Sequence, residues 1–216
     1  MRITTIINLL LLVMGFSVLL IIFRIFYSGS LMYIFLCWNL FLAAMPLTAS
    51  TLMLQIKNKN VQWLFFVAWL LFFPNSLYII TDLIHLKDRP PVPFWFDIIL
   101  VFSAAINGMI LAYLSLQQVE IFLKSKFNAG TTNIIIYGCL FLSSFGIYLG
   151  RYLRWNSWDI LSNPFGLLDH ITQRFINPFD HPRTWTMTIV FTAFFSIFYF
   201  VLKKLPNFVF KVENQK

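Results

Sequence analysis

VQWLFFVAWLLFFPNSLYIITD, residues 61–82, passes through 21 positions without a formal charge and meets its first at Asp82. An α-helix rises 1.5 Å per residue, so about 20 apolar residues cross a hydrocarbon layer ~30 Å thick. The stretch shows no period-two alternation, and backbone groups in lipid must be satisfied within the segment, so it reads as a spanning helix and not a strand. Five further runs of the same kind occur at about 5–26, 31–53, 95–118, 132–150 and 185–203.

The whole chain agrees with this reading. Of its 216 residues, 59% are hydrophobic and only 11% charged, where a soluble domain carries about 25% charge. Mean hydropathy is +0.78. The expected class is therefore all-α: a polytopic integral membrane helical bundle of about six transmembrane helices, forming a single transmembrane domain over 1–216. No hydrophilic stretch is long enough for a separate soluble domain. The first apolar run exceeds the roughly 7–15 residues of a signal-peptide core and precedes no small-x-small site, so it is expected to be an uncleaved span. Cys37 and Cys139 fall within apolar runs and read as small buried side chains, with neither a disulfide nor a thiol metal site indicated.

Six spans place both termini on one side of the membrane. That side then holds Arg2, Lys57, Lys59, Lys124, Lys126, Lys203, Lys204, Lys211 and Lys216 against Glu120 and Glu213. The opposite side holds seven cations against six acids. Lysine-rich short loops face the cytoplasm, so both termini are expected to be cytoplasmic and the mixed-charge side extracytoplasmic, in a bacterial cytoplasmic membrane. The net charge of +8 then means contact with anionic lipid headgroups; no basic-aromatic nucleic-acid motif is present, and no nucleic-acid partner is expected. Segment 156–184 is partly apolar but bounded by Pro164 and Pro178. It is expected to lie as an extracytoplasmic loop along the interface and not to cross it.

The mixed-charge side carries all three histidines, His85, His170 and His181, and the acids Asp82, Asp88, Asp97, Asp159, Asp169 and Asp180. With 61–89 read as one helix, Asn75, Tyr78, Asp82, His85 and Arg89 share an arc of about 80°. Unpaired polar groups are costly in hydrocarbon, so this stripe needs partners. It predicts a cavity wall in which Asp82 and His85 share a proton or a metal ion; polar residues at the end of a span would look the same. Asp97 opens the fourth span, where an acid suits the helix dipole. Asn107, in mid-span, predicts an interhelical hydrogen bond.

A second stretch, Gly150-Arg151-Tyr152-Leu153-Arg154-Trp155-Asn156-Ser157-Trp158-Asp159, follows the fifth span. Arg151 and Arg154 lie one turn apart and predict a guanidinium pair able to grip phosphate or carboxylate. Trp155 and Trp158 suit the headgroup layer or a stacking role. An interfacial anchor with snorkelling arginines is the competing reading. The pairs Asp169/His170 and Asp180/His181 match no standard metal-ligand spacing. Gly-x-Ser-x-Gly, His-Glu-x-x-His and phosphate-loop signatures are lacking, and no cofactor is named.

Together, Phe73-Pro74-Asn75-Ser76-Leu77-Tyr78-Ile79-Ile80-Thr81-Asp82-Leu83-Ile84-His85-Leu86 and the arginine-tryptophan stretch resemble the bacterial predicted membrane proteins grouped as domain of unknown function 1361. The resemblance covers most of the chain and implies the fold and the pairing of the two motifs; it implies no activity. Three functions fit the residues. One is an outer-face site for a lipid or lipid-linked anionic substrate, with Asp82 or His85 as general base, Asp159 as a further acid, and Asn75, Tyr78, Arg151, Arg154, Trp155 and Trp158 binding. The second is a non-catalytic subunit or assembly factor that docks a protein partner. The third is a small-solute transporter or flippase. The first expects the two motifs to converge on one pocket.

Overall fold

The computed structural model describes the backbone of residues 3–213 and the side chains of residues 5–205. Arg2, Lys211, Glu213 and Lys216 of the charge count lie outside the described side chains. Eight α-helices follow in order: α1 (Ile3–Ser28), α2 (Phe35–Gln55), α3 (Lys59–Tyr78), α4 (Phe94–Lys124), α5 (Ala129–Tyr152), α6 (Asp159–Ser162), α7 (Pro164–Ile176) and α8 (Pro182–Glu213). Short 3-10 segments cover Ile79–His85 and Pro178–Asp180. Six helical segments are long and apolar enough to cross a membrane: Thr5–Ser28, Phe35–Gln55, Lys59–His85, Phe94–Lys124, Ala129–Tyr152 and Pro182–Leu205. They match the six expected runs and overshoot most of their ends, because hydrogen bonding and caps stop a helix and the apolar run does not.

The stops are chemically plain. Gly29 has φ 66° and donates its N–H to the Ile25 carbonyl, the left-handed ending that glycine allows without a Cβ clash. Asn58 opens α3 by accepting from the Asn60 and Val61 N–H groups, and Asn128 opens α5 by accepting from Thr131.

The chain packs as two compact units, Met1–Phe122 and Leu123–Lys216. The core of unit one is Ile21, Tyr33, Leu36, Leu40, Ala43, Ile79, Leu100, Val101, Ala104, Ala105 and Leu111, drawn from α1, α2, α4 and the segments beside them. Lipid is as apolar as leucine, so close packing and polar bonds must hold such helices together. Asn107 donates to the Ser17 hydroxyl (2.8 Å) and the Val13 carbonyl (3.2 Å), joining α4 to α1 as its mid-span position predicted. Ser17 and Ser103 hydroxyls meet at 2.9 Å, and Ser76 donates to the Ala43 carbonyl at 2.6 Å. Bonds of this kind average about 0.6 kcal/mol in bilayers, so several are needed.

In unit two, α5 packs on α8. Thr132, Ser143 and Ser144 of α5 and Thr184 and Thr188 of α8 are fully buried, small side chains that allow close approach. Beyond them, Phe145, Tyr148 and Leu149 form a cluster with Leu153, Trp155, Leu167, Ile171 and Met187. That cluster fastens α7 to the end of α5.

Candidate functional site

Helix α3 runs through Pro74 to Tyr78, and the chain then tightens into the 3-10 segment. The expected single α-helix over 61–89 is therefore corrected: the 80° stripe holds only as far as Tyr78. A 3-10 turn has three residues, so positions three apart eclipse. Ile79, Asp82 and His85 thus fall on one side. Asp82 is buried to 1% exposure, while the His85 side chain is 41% exposed, and Asp82 Oδ1 lies 4.0 Å from His85 Nε2. This is ion-pair range and longer than a hydrogen bond. Oδ2 of Asp82 accepts from Asn39 Nδ2 at 2.8 Å. The His85 ring meets Phe35 edge-on at 5.4 Å. A buried carboxylate is thereby held on one side by a neutral amide and faces a part-exposed imidazole on the other.

The network continues from the backbone of His85. Its carbonyl accepts from the Tyr33 hydroxyl (3.3 Å) and from Arg89 Nη1 (3.2 Å). Burial pushes the Tyr33 phenol above its ordinary pKa, which keeps it protonated and donating. Tyr33 also lies under Arg24, whose guanidinium carbon is 4.6 Å from the ring centroid. Arg24 in turn grips Asp97 through both carboxylate oxygens, Nε–Oδ1 at 2.7 Å and Nη2–Oδ2 at 3.0 Å. Asp97 therefore has a partner stronger than the helix dipole that its position suggested. The groups from Arg24 to Asn39 form one continuous polar chain within unit one.

Asn75 and Tyr78 are half-buried. The Asn75 amide donates to the Phe72 carbonyl at 3.0 Å, and the Tyr78 carbonyl accepts from Thr81 at 2.6 Å. The fully packed side of α3 consists of Trp69, Phe73, Ser76 and Leu77.

In unit two, α5 ends at Tyr152. Arg151 sits in its last turn, and Arg154 lies beyond it with φ 60°. The Leu149 carbonyl accepts from both Leu153 and Trp155 N–H groups, each at 3.1 Å. The chain thus reverses at Arg154, in a conformation that costs a non-glycine residue about 1 kcal/mol. The expected pair of arginines on one helical face is corrected for that reason. Arg151 is half-buried and Arg154 exposed. Trp155 Nε1 donates to His170 Nδ1 at 2.9 Å, with the rings edge-on at 5.4 Å. That bond leaves the proton of neutral His170 on Nε2. Trp158 is exposed at the start of α6.

Asp159 is occupied in its own turn. Its Oδ2 accepts from the Asn156 backbone N–H (2.6 Å) and side-chain amide (3.3 Å), and its Oδ1 accepts from Ser162 (3.0 Å). The Asn156 N–H bond, ahead of the Ser162 hydroxyl, holds this carboxyl below the usual carboxylate range. Among the described residues, no three His, Cys, Asp or Glu side chains gather as a metal-ligand group.

Sequence reasoning missed Arg24, Tyr33 and Asn39. A signal existed for the first: Arg24 is the one charge inside the first apolar run, and a buried charge demands an opposite one at the same depth. No comparable signal marks Tyr33 or Asn39.

These features define an all-helical, multi-pass membrane protein in which several titratable groups, Arg24, Asp97, Asp82 and His85 among them, are drawn into bonded clusters. The chain belongs to the family described as protein of unknown function (DUF1361), which matches residues 38–198 and so includes both motifs. Arg24 and Tyr33 lie outside the matched region. No curated protein and no solved structure matches the chain.

Proposed function

We propose that the chain is a multi-pass protein of the bacterial cytoplasmic membrane, with both termini cytoplasmic, whose extracytoplasmic side binds or acts on a lipid or lipid-linked anionic substrate. One observation carries this reading: a buried carboxylate, Asp82, lies beside a part-exposed imidazole, His85, at the end of a span. An imidazole backed by a carboxylate is a general base near neutral pH, because the carboxylate orients it and stabilises the imidazolium that forms. His85 takes a proton from the substrate or from water; Asp82 and Asn39 hold the pair in place.

Asn75 and Tyr78 line the approach from membrane depth. Within unit two, Arg151 and Arg154, presented separately by the turn at Leu153, offer positive charge to a phosphate or carboxylate on their own account, and Trp155 and Trp158 suit the headgroup level. Asp159 orders its own turn within unit two.

The test uses the full chain in cells and in purified form. Cells whose own copy is deleted receive the natural chain, His85→Gln or Asp82→Asn, each checked for membrane level and elution as a folded species. Phospholipid and envelope-glycan profiles are compared by mass spectrometry. The natural chain is expected to shift the profile, and both variants to lose the shift. Profiles that respond equally to the natural chain and both folded variants overturn the assignment.

A further inference from the structure

Helix α7 turns a mixed face of polar and apolar side chains inward and leaves large apolar side chains exposed. At 100° per residue, His170, Arg174, Leu167 and Ile171 fall within about 100° of arc, and this face is turned inward. Leu167 and Ile171 join the cluster of Phe145, Tyr148 and Leu149, and His170 takes the Trp155 hydrogen bond. Arg174 is buried. Its Nη1 donates to the His170 carbonyl at 2.6 Å, and its guanidinium lies 5.7 Å from the Tyr148 ring centroid.

The opposite arc, again about 100° wide, carries Phe175, Leu168, Phe165 and Ile176, with the exposed Thr172 among them. All four are exposed, Phe165 to 84%. Leu161 just before the helix is 88% exposed, and Phe179 just after it is 95% exposed. Scattered exposed leucines are ordinary, but six large apolar side chains exposed within 161–179 are a concentration that water does not tolerate well.

Continuity of the chain states what covers the patch. The segment leaves α5 at Tyr152 and enters α8 at Pro182, and both helices belong to the membrane-crossing set. Both of its ends are therefore tied to the same bilayer surface. Arg154 and Arg183, each exposed, flank it where lipid phosphates lie.

We propose that α6, α7 and the Pro178–Asp180 turn form a membrane-surface anchor. Leu161, Phe165, Leu168, Phe175, Ile176 and Phe179 sit at the headgroup–acyl boundary of the leaflet where α5 ends and α8 begins. The partner is the lipid bilayer itself. The inward face then serves to fix the depth and rotation of α7, because His170 is bonded to Trp155 and Arg174 lies against the Tyr148 ring, and both contacts would be lost if α7 rolled toward lipid. This assignment is independent of the Asp82–His85 reading and stands or falls separately.

The test places single nitroxide labels on the full chain, with Cys37→Ser and Cys139→Ala, reconstituted in nanodiscs of mixed phosphatidylcholine and phosphatidylglycerol. Labels at F165C, L168C, I176C and F179C are compared with labels at the exposed polar positions D169C and Q173C. Collision with oxygen, which concentrates in lipid, is measured against collision with a water-soluble nickel chelate. The four apolar positions are expected to favour oxygen several-fold over the two polar ones. Nickel-dominated collisions at all four overturn the proposal. Shielding from both reagents with dipolar broadening between chains also overturns it, and identifies a second copy as the occupant. Should a labelled variant elute as misfolded, its neighbour among the four provides the reading.

Discussion

Arg24 and Asp97 stand 73 positions apart, yet form a two-pronged ion pair with side chains only 3% and 1% exposed. The pair ties the last turns of α1 to the first turn of α4, and Tyr33 covers it from the intervening turn. Two charges leave water at a cost of several kcal/mol each, and mutual attraction with good geometry offsets that. The Arg24 Nη1 atom has no hydrogen-bond partner in the structure, so the pair is not fully satisfied. Removing one charge strands the other. Arg24→Gln and Asp97→Asn are each expected to lower stability by about 3–5 kcal/mol, whereas Arg24→Leu combined with Asp97→Leu recovers most of that loss. Thermal unfolding in detergent decides it: a double variant as unstable as the singles added together would count against a coupled pair.

Gly108 is where α4 meets α3. A Cβ there would overlap the Ser76 backbone carbonyl and crowd the Ile79 side chain. Ser76 itself is held by its bond to Ala43, so the backbone has little room to retreat. Gly108→Ala is therefore expected to destabilise by about 1–3 kcal/mol through overpacking. Gly138, with open space where its Cβ would stand, is the control. Gly138→Ala is expected to be neutral or to add up to about 1 kcal/mol from helix propensity. Equal melting temperatures for the two variants would refute the close approach.

The Trp155–His170 hydrogen bond is the polar latch between the turn after α5 and the inward face of α7. Trp155→Phe keeps an aromatic ring and removes the donor, a loss of about 0.5–1.5 kcal/mol. Amide exchange over 164–176 is expected to quicken several-fold, with α5 and α8 unchanged. Exchange that stays at the natural rate would show that apolar contact alone holds α7.

Asp159 has a lowered folded pKa, caused first by the Asn156 N–H. A lowered folded value means stability present above the ordinary Asp value and lost as pH falls through the folded one. Local order of 156–162 is thus expected to be constant near neutrality and to fade only in acid, below the ordinary value near 3.8. Asp159→Asn is expected to loosen the turn at every pH and to abolish the acid transition. A nitroxide or fluorophore at Ser157 follows both. An acid transition that persists in Asp159→Asn would assign it to another group.

Legibility in the sequence tracked the range of the physics. The six spans, the non-spanning connector between α5 and α8 and the Asn107 bond were readable, because hydrocarbon thickness and backbone satisfaction act along the chain and leave a mark roughly 20 residues long. Asp82 and His85 stood out by their spacing. Their contact, however, came from a switch to 3-10 geometry after Tyr78, which no run of residue types announced. The arginine pair failed as a helical-face prediction because the helix stops at Tyr152 and Arg154 turns left-handed.

What the amino-acid order determined alone was therefore the class of the molecule: how many spanning helices it makes, roughly where they lie, and which segments leave the apolar runs. Only the tertiary structure decided that Arg24 meets Asp97, that Asn39 holds Asp82, and that α7 turns its arginine inward and its phenylalanines out. Periodicity reports the angle between residues on one helix. It says nothing about the rotation of that helix against its neighbours, and side-chain packing at 3–4 Å sets that rotation.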